Sequence, residues 1–235
     1  MYFNTNQFTD PGGRSPNEDS VGYFTEGTFN AWIAADGLGG HISGEIASAK
    51  AVSTLKEVMS ECKSLNEEFV ENTFRKMNDA VLSLSGPLTT AVCAFSDGKK
   101  LWYANNGDSR FFFIRNKKVL YHTNDHSIAF IAYKTGNISY DDIPTHPGQN
   151  RLYHSLGNES AFYGEFYQEI DLKAGDAFLL ATDGFWELIR DEEIVRTLNI
   201  SNSSQDWMDT MLDIIKTRLR KTSDNYSAVC VTVKD

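Results

Sequence analysis

Five short acidic motifs are spread over almost the whole length of the chain. They are Asn17-Glu18-Asp19, Asp36-Gly37-Leu38-Gly39-Gly40, Gly107-Asp108-Ser109-Arg110, Thr182-Asp183-Gly184 and Asp224-Asn225. Most of them adjoin an apolar run typical of a β-strand, so their carboxylates can meet at one rim of a sheet. Crowded carboxylates repel one another unless a cation neutralises them, and oxygen-only ligand sets favour Mg²⁺ or Mn²⁺. The pattern therefore predicts a metal-dependent enzyme.

The elements that must position these motifs are short strands and two pairs of helices. Apolar runs between turn residues predict strands over 19–25, 29–35, 89–95, 100–104, 110–115, 118–122, 164–170, 176–181 and 226–233. Helical spacing predicts helices over 44–61, 67–84, from about 191, and over 205–221. The strands between 89 and 122 are expected to form successive antiparallel hairpins.

Capping residues and apolar stripes refine the helix predictions. Ser43, Asn66 and Asp191 are the expected N-caps. The inward stripe of the first helix is expected to contain Ile46, Ala49, Val52, Leu55 and Val58, and that of the second Phe69, Phe74, Met77, Val81 and Leu84. Residues 127–162 are too long for an ordinary connection, which predicts a functional lid containing a little helix.

The element order points to a fold class. Strands, two helices, many strands, two helices and a last strand show no regular βαβ alternation, which disfavours a parallel doubly wound sheet. We expect an α+β fold in which two mostly antiparallel sheets are flanked by helices. One domain over residues 1–235 accommodates these elements.

Composition limits the possible partners and compartments. The chain has 235 residues, a net charge of −10 and 41% hydrophobic residues, which disfavours a nucleic-acid binder. The sequence contains neither a signal peptide nor an apolar membrane span, so a cytoplasmic protein without membrane or nucleic-acid partners is expected. Cys62, Cys93 and Cys230 are an odd number and are predicted to be buried thiols in a reducing compartment.

In their order along the chain, the motifs resemble those of the metal-dependent serine/threonine protein phosphatases called type 2C, or the PPM family, in their bacterial form. The matching segments are 14–20, 35–41 with 44–48, 89–90, 104–110, 123–127, 146–157, 181–187 and 224–227. The resemblance implies a four-layer α-β-β-α sandwich and hydrolysis of phosphoserine and phosphothreonine in proteins. It also implies phosphoprotein substrates, a cognate serine/threonine kinase and a monomer.

The same resemblance implies a centre of two Mn²⁺ or Mg²⁺ ions, with a third, weaker site. Asp36 would bridge the two ions, and the Gly37 carbonyl would also ligate. Asp183 and Asp224 would complete the shell of the first ion, while Glu18 would serve the second, supported by Asp19. On local sequence alone, each of these residues also suits a simple turn or an exposed acidic loop.

The remaining site residues have supporting roles or two possible interpretations. Arg14 is the predicted phosphate clamp, since a guanidinium can hold two phosphate oxygens at once. Asp108 and Glu187 would bind the third ion, although Asp108 equally suits a structural bond to Arg110 or to nearby backbone. Asn225 would orient Asp224 or form a turn.

The implied mechanism is attack on phosphorus by a metal-bridged hydroxide, with no phosphoenzyme. One position departs from many eukaryotic members, which have a histidine directly after the Asp-Gly pair, where this chain has Leu38. No general acid is assigned. His41 is expected to support the glycine loop, and His122, His126, His146 and His154 are expected to be polar loop or lid residues.

Two other functions remain open at this point. A catalytically silent scaffold on the same fold would be expected to lose metal carboxylates, whereas Asp36, Asp183 and Asp224 are all present. A phosphatase or phosphodiesterase acting on a small molecule would use the same two-ion chemistry, so the carboxylates alone do not exclude it.

Overall fold

The computed structural model describes residues 1–38, 43–158 and 165–235, and the side chains within all of these except 165–169. Gly39, Gly40 and His41 of the second motif lie outside the described residues. The last residues of the predicted lid, from 159 onward, also lie outside them.

Within these ranges the chain forms short strands and amphipathic helices. The strands are β1 (Tyr2–Asp10), β2 (Asp19–Glu26), β3 (Phe29–Leu38), β4 (Leu88–Thr89), β5 (Ala91–Ser96), β6 (Lys100–Asn106), β7 (Arg110–Arg115), β8 (Lys118–His122), β9 (Glu165–Asp171), β10 (Ala177–Ala181) and β11 (Tyr226–Lys234). The helices are α1 (Gly44–Ser60), α2 (Glu67–Leu82), α3 (Ile128–Lys134), α4 (Asp183–Trp186), α5 (Asp191–Ile200) and α6 (Ser204–Lys216), with a 3₁₀ turn over Tyr140–Thr145.

The strands form two antiparallel sheets that pack face to face. Sheet 1 has the order β1-β11-β10-β7-β8, and sheet 2 has the order β2-β3-β5-β6-β9 with β4 paired to β3. Helices α5 and α6 cover the outer face of sheet 1, and α1 and α2 cover that of sheet 2. A third apolar cluster lies between the sheets. The predicted four-layer α-β-β-α sandwich is confirmed.

Strand alternation explains how each sheet serves two apolar layers. In β3, Ile33 faces the helices while Trp32 and Ala34 face the opposite sheet. In β11, Cys230 faces α6 while Val231 faces the opposite sheet. Since both faces of these central strands are covered, they read in the sequence as continuous apolar runs.

Local signals predicted the second helix well and the first less well. The Asn66 side chain accepts a hydrogen bond from the Phe69 N–H at 2.8 Å, which confirms this N-cap. The Ser43 cap was wrong, because Ser43 has a left-handed φ of 44° and its side chain makes no capping bond. The predicted stripe of the first helix was correct for the buried Leu55 and Val58, and wrong for Ile46 and Ala49, which are exposed.

The buried face of α1 is instead built on small residues such as Ala47 and Ala51, which bring the helix close to sheet 2. The expected Asp191 cap was wrong as well. The N-cap is Arg190, whose backbone N–H donates to the Glu193 carboxylate at 3.0 Å, as in a capping box.

Two features of the sheets differ from the predicted hairpins. Strands β6 and β7 do not pair, because β6 belongs to sheet 2 and β7 to sheet 1. The turn at Gly107–Ser109 therefore crosses from one sheet to the other and places Asp108 between their ends. Strand β1 was not predicted; it pairs with β11 along its whole length at the edge of sheet 1.

The segment 127–158 contains α3 and the 3₁₀ turn, as the prediction of a little helix required. Ser127 pairs with Leu152 within the segment, and the pairing of Leu156 with Thr89 attaches the segment to sheet 2. The three cysteines are buried thiols, as predicted. No helix in the described ranges is long and apolar enough to cross a membrane.

Candidate active site

The acidic motifs come together at one end of the sandwich. Asp19 and Asp36 are directly paired on β2 and β3 of sheet 2. Asp183 follows β10 and Asp224 precedes β11, both in sheet 1, and Asp108 lies in the turn that crosses between the sheets. The predicted convergence on one rim thus involves the ends of both sheets.

These ends surround a cleft of about 470 Å³. Its lining contains most of the predicted site residues and two residues of the 127–158 segment. The lining residues are Arg14, Glu18, Asp36, Gly37, Leu38, Asp108, Asn150, Leu152, Asp183 and Asp224. Asp19 is buried beside the cleft, and Glu187 is half-buried behind it. Leu152 was not among the predicted site residues.

The backbone of Asp36 is held on both sides by neighbouring threonines. Its N–H donates to the Thr90 hydroxyl at 2.9 Å, and its carbonyl accepts from the Thr90 N–H and the Thr89 hydroxyl, each at 2.8 Å. Gly37 follows at a close approach of β3 to α1, where a Cβ would lie 2.2 Å from the Gly44 carbonyl oxygen. The Asp-Gly pair is thus fixed by its surroundings.

Hydrogen bonds also join the two sheets through acidic residues. The Thr182 hydroxyl, at the end of β10, donates to Asp19 Oδ2 at 2.8 Å. The Gly44 N–H at the start of α1 donates to Glu18 Oε1 at 3.1 Å. The positions of these carboxylates are therefore set by backbone and hydroxyl donors from several distant segments.

Asn225 connects the amino-terminal loop to the cleft. Its side-chain oxygen accepts from the Glu18 N–H, and its amide donates to the Pro11 carbonyl, both at 2.9 Å. Its backbone N–H donates to Asp224 Oδ1 at 2.9 Å. The side chain thus positions Glu18, while Asp224 is held by the backbone.

Arg14 lies at the mouth of the cleft, where its guanidinium forms an ion pair with Asp224. The Arg14 side chain is 52% exposed, so part of the guanidinium faces solvent. A cation at this place adjoins both the carboxylates and the open side of the cleft, which suits contact with an anionic group entering it.

Asp108 is not bonded to Arg110, contrary to one reading of the sequence. Arg110 makes a buried bidentate pair with Asp125, at 2.7 and 2.6 Å, and its guanidinium stacks 3.4 Å from the Trp186 ring centre. The Trp186 indole N–H donates to the Asp108 main-chain carbonyl at 3.0 Å, so this contact does not involve the Asp108 carboxylate.

The Asp108 carboxylate is contacted by a residue of the segment 127–158. Gln149, 4% exposed, donates from Nε2 to Asp108 Oδ2 at 3.3 Å. Sequence reasoning missed this contact, because no local signal joins residues 41 positions apart. His126, expected to be a polar loop or lid residue, lies in a loop and is buried, and its Nδ1 accepts from the Gly107 N–H at 3.0 Å.

Burial and mutual repulsion raise the pKa values of these acids. Burial, followed by the charges of Asp183 and Asp19, raises the pKa of Asp36 well above its ordinary value. Burial raises the pKa of Asp19 to about 6, and burial with the Asp224 charge raises that of Asp183 to about 7. Burial, reinforced by Asp183, raises the pKa of Glu187 to about 9. The ionised cluster is costly without a cation.

The cluster fits divalent cations by its donor chemistry. Asp19 Oδ1 and Asp108 Oδ1 are buried without a hydrogen-bond partner in the described part of the chain. Within those same ranges no three histidine, cysteine or acidic side chains converge tightly enough to hold one ion alone. Ions here would complete their shells with backbone carbonyls and water, which is ordinary for Mg²⁺.

Comparison with known proteins gives a consistent result over most of the chain. The family model of protein phosphatase 2C matches residues 12–222. The serine/threonine phosphatase stp of Listeria welshimeri is 30% identical over 231 residues, which cover 93% of this chain and 90% of that protein.

Solved structures share the fold along nearly the full length. The serine/threonine phosphatase Stp1 from Staphylococcus aureus has a TM-score of 0.90 at 27% identity, and the match covers 100% of this chain and 96% of that one. The catalytic domain of the phosphatase PstP, solved in complex with two manganese ions, has a TM-score of 0.83 at 22% identity and covers 99% of each chain. The second likeness is one of fold alone.

Proposed function

The chain belongs to the protein phosphatase 2C family, and from this premise we propose that the acidic end of its sandwich is the active site. The protein is a serine/threonine phosphatase, a metal-dependent hydrolase of phosphoproteins with a dinuclear centre. The observation that carries the assignment of the site is the cleft itself, where carboxylates from both sheets are buried with raised pKa values.

We assign the ligand roles from the positions of the side chains. Asp36 lies at the centre of the cluster, since the charges of Asp183, Asp19, Asp108 and Asp224 all act on it, and it is the proposed bridge. Gly37 would add its carbonyl. Asp183 and Asp224, from sheet 1, would serve one ion. Glu18 would serve the other, with Asp19 in support.

When bound, the two ions supply Lewis-acid chemistry, lowering the pKa of water and neutralising the phosphoryl oxygens. The chain's own part is to orient the substrate. Arg14 would hold phosphate oxygens at the cleft mouth, and the Asp224 contact fixes its direction. Leu38 lines the cleft where a histidine acid would otherwise stand, so we place no side-chain acid there.

The choice of ion and a third site are further proposals. The donors are all oxygens, which accept either Mg²⁺ or Mn²⁺, and a relative of the same fold was solved with two manganese ions. Asp108 lines the cleft and has an unpaired buried oxygen, which favours it as a ligand of a third ion. Glu187 does not line the cleft and would act through its charge alone.

We further propose that the segment 127–158 acts as a lid beside one catalytic domain. Asn150 and Leu152 reach the cleft, while α3 presents Ile128 and Ile131, 39% and 44% exposed, to solvent. These residues at the edge of the cleft would contact the substrate residues on either side of a phosphorylated side chain. A cognate serine/threonine kinase would supply these substrates.

The test is hydrolysis of a phosphothreonine peptide by purified protein, first with EDTA and then with added Mn²⁺ or Mg²⁺. Activity should vanish with chelator and return with either ion. An Arg14→Lys variant should raise KM more than it lowers kcat, because lysine cannot make the two-oxygen contact. Chelator-resistant activity would reject the metal centre, and an unchanged KM would reject the clamp.

A panel of nucleotides and sugar phosphates, assayed beside the peptide, tests the small-molecule alternative. The proposal requires the peptide to have the higher kcat/KM. A preference for a small ester would overturn the assignment of the substrate class while leaving the metal centre intact.

A further inference from the structure

A second cleft lies at the end of sheet 1 opposite the carboxylates. Its volume is about 660 Å³, larger than the acidic cleft. It lies between the β7–β8 turn, the β9–β10 connection, the end of β11 and the connection from α5 to α6. Along β11, the eight steps from Tyr226 to Lys234 separate the two clefts by roughly 26 Å.

Cations dominate this basic cleft, although the whole chain carries a net charge of −10. Lys117, Lys173 and Lys234 line it and are exposed. None of the three makes an ion pair among the residues that the structure describes. Arg115 also lines it but is occupied, since it makes a bidentate pair with Asp176 at 2.7 and 2.6 Å. Asp235 is the other acid in the lining.

The lysines lie on three separate segments of the chain. Lys117 has a left-handed φ of 60° in the tight β7–β8 turn. The Lys173 N–H donates to the Asp176 carboxylate at 2.7 Å, which fixes the β9–β10 connection. Lys234 ends β11, opposite Tyr2 in the β1 pairing. Three ammonium groups on separate segments match charge spread along a chain better than one compact anion.

The opposite wall supplies neutral polar groups. Asn199, Ser201 and Asn202 of the α5–α6 connection line it. Amide and hydroxyl groups of this kind can bond to the backbone of an extended peptide. Lysine is a point charge on a flexible stem, whereas bidentate recognition of a single phosphate calls for arginine, and Arg115 is occupied.

We propose that the basic cleft binds an acidic segment of a protein partner, away from the active site. Phosphoprotein substrates are themselves anionic and are repelled by an acidic catalytic end and by the net charge of the chain. A cationic surface at the opposite end would hold such a partner close. The binding step itself does not depend on the proposed phosphatase chemistry.

The first test measures binding without catalysis. A fluorescein-labelled peptide of alternating glutamate and serine, about ten residues long, is titrated by anisotropy at low salt, with a glutamine–serine peptide as the neutral control. The triple variant Lys117→Gln, Lys173→Gln and Lys234→Gln should weaken binding about tenfold, the size expected when three exposed charge contacts are lost. Added salt should weaken binding to the native chain.

The matched control is the triple variant Lys56→Gln, Lys63→Gln and Lys76→Gln, which removes three exposed lysines from the α1–α2 side. Both triples change the net charge equally, so the control should bind within twofold of the native chain. An equal loss of affinity in the two triple variants would mean that net charge alone explains the effect, and it would overturn the proposed binding site. Equal binding of the acidic and neutral peptides by the native chain would also overturn it.

A second test joins the acidic segment to a phosphothreonine peptide through a flexible linker. A span of roughly 26 Å needs at least about eight extended residues. The acidic segment should raise kcat/KM for the native chain and not for the cleft triple, while turnover of p-nitrophenyl phosphate stays equal in both. Absence of all turnover would count against the proposed function, and the anisotropy result would still decide the cleft.

Discussion

The two ends of sheet 1 carry charge in opposite ways. At the acidic end, Asp108 and Asp183 are buried beside the half-buried Asp36 of sheet 2, and the pKa values of all three are raised. At the other end, the buried Asp176 is paired with Arg115 and the lysines are exposed. The same strands thus support a cluster that is unfavourable by itself and one that is internally neutralised. Buried carboxylates that no residue of the fold neutralises indicate where an external cation binds.

Among the substitutions, replacing the central acid Asp36 should have the largest effect on activity. Asp36→Asn is expected to lower kcat/KM by roughly 10³-fold or more, since several kcal/mol of metal-dependent stabilisation would be lost. In EDTA its melting temperature should equal or exceed that of the native chain, because one of the repelling charges is gone. Steady-state kinetics and thermal denaturation check both parts.

The matched control is Asp213→Asn, which alters a carboxylate that is 80% exposed on α6. Its activity and melting temperature should stay close to native values. If Asp36→Asn retained full turnover, the assignment of the cleft as the active site would fail.

The stability of the metal-free protein should depend on pH in the way that the acidic end dictates. Folded pKa values of about 6 for Asp19 and about 7 for Asp183 exceed the ordinary value of 3.8. The folded state therefore binds more protons than the unfolded state, and stability should fall as pH rises from about 4.5 to above 7. We expect the melting temperature in EDTA to drop by about 5 °C or more over this range.

Saturating Mg²⁺ or Mn²⁺ should remove most of that slope, because the ions neutralise the same carboxylates. Calorimetry at several pH values, with and without metal, gives the measurement. A metal-free protein whose stability rises steadily with pH would contradict the repulsion described above.

Removing the buried carboxylate at the opposite end should lower the stability of the protein without changing its activity. Asp176→Asn removes a carboxylate that is 2% exposed and accepts from both Arg115 and the Lys173 N–H. The free energy of unfolding should fall by about 2–3 kcal/mol, since a partly buried guanidinium loses its partner. Denaturant titration measures the loss, and kcat/KM for a small phosphate ester should stay within twofold. A large loss of turnover would mean that the two ends are coupled.

Local signals in the sequence were sufficient where the structure depends on neighbours along the chain. The limits of β7 were predicted, and the Asn66 cap was correct, because strand alternation and capping act over a few residues. The Asp-Gly motifs also indicated where the acidic cleft would form, since their glycines mark close approaches of the backbone.

Signals failed where distant segments decide the outcome. The Gly107–Ser109 turn has hairpin composition, yet it crosses between sheets: β6 and β7 share the apolar layer between the sheets, while their outer faces pack against different pairs of helices. Strand β1 has a polar sequence and is specified mainly by its pairing with β11. The Gln149 contact to Asp108 depends on the fold of the segment 127–158, and the Arg110 pair with Asp125 joins residues 15 positions apart.

Asn225 joins the Glu18 backbone across 207 positions of the sequence. The cleft is therefore assembled from segments that leave the ribosome at well-separated times, because Asp224 and β11 are made long after Glu18. Until β11 can pair with both β1 and β10, Glu18 lacks its acceptor on Asn225 and sheet 1 is incomplete. A growing polypeptide that has not yet released β11 would consequently lack the assembled acidic cleft.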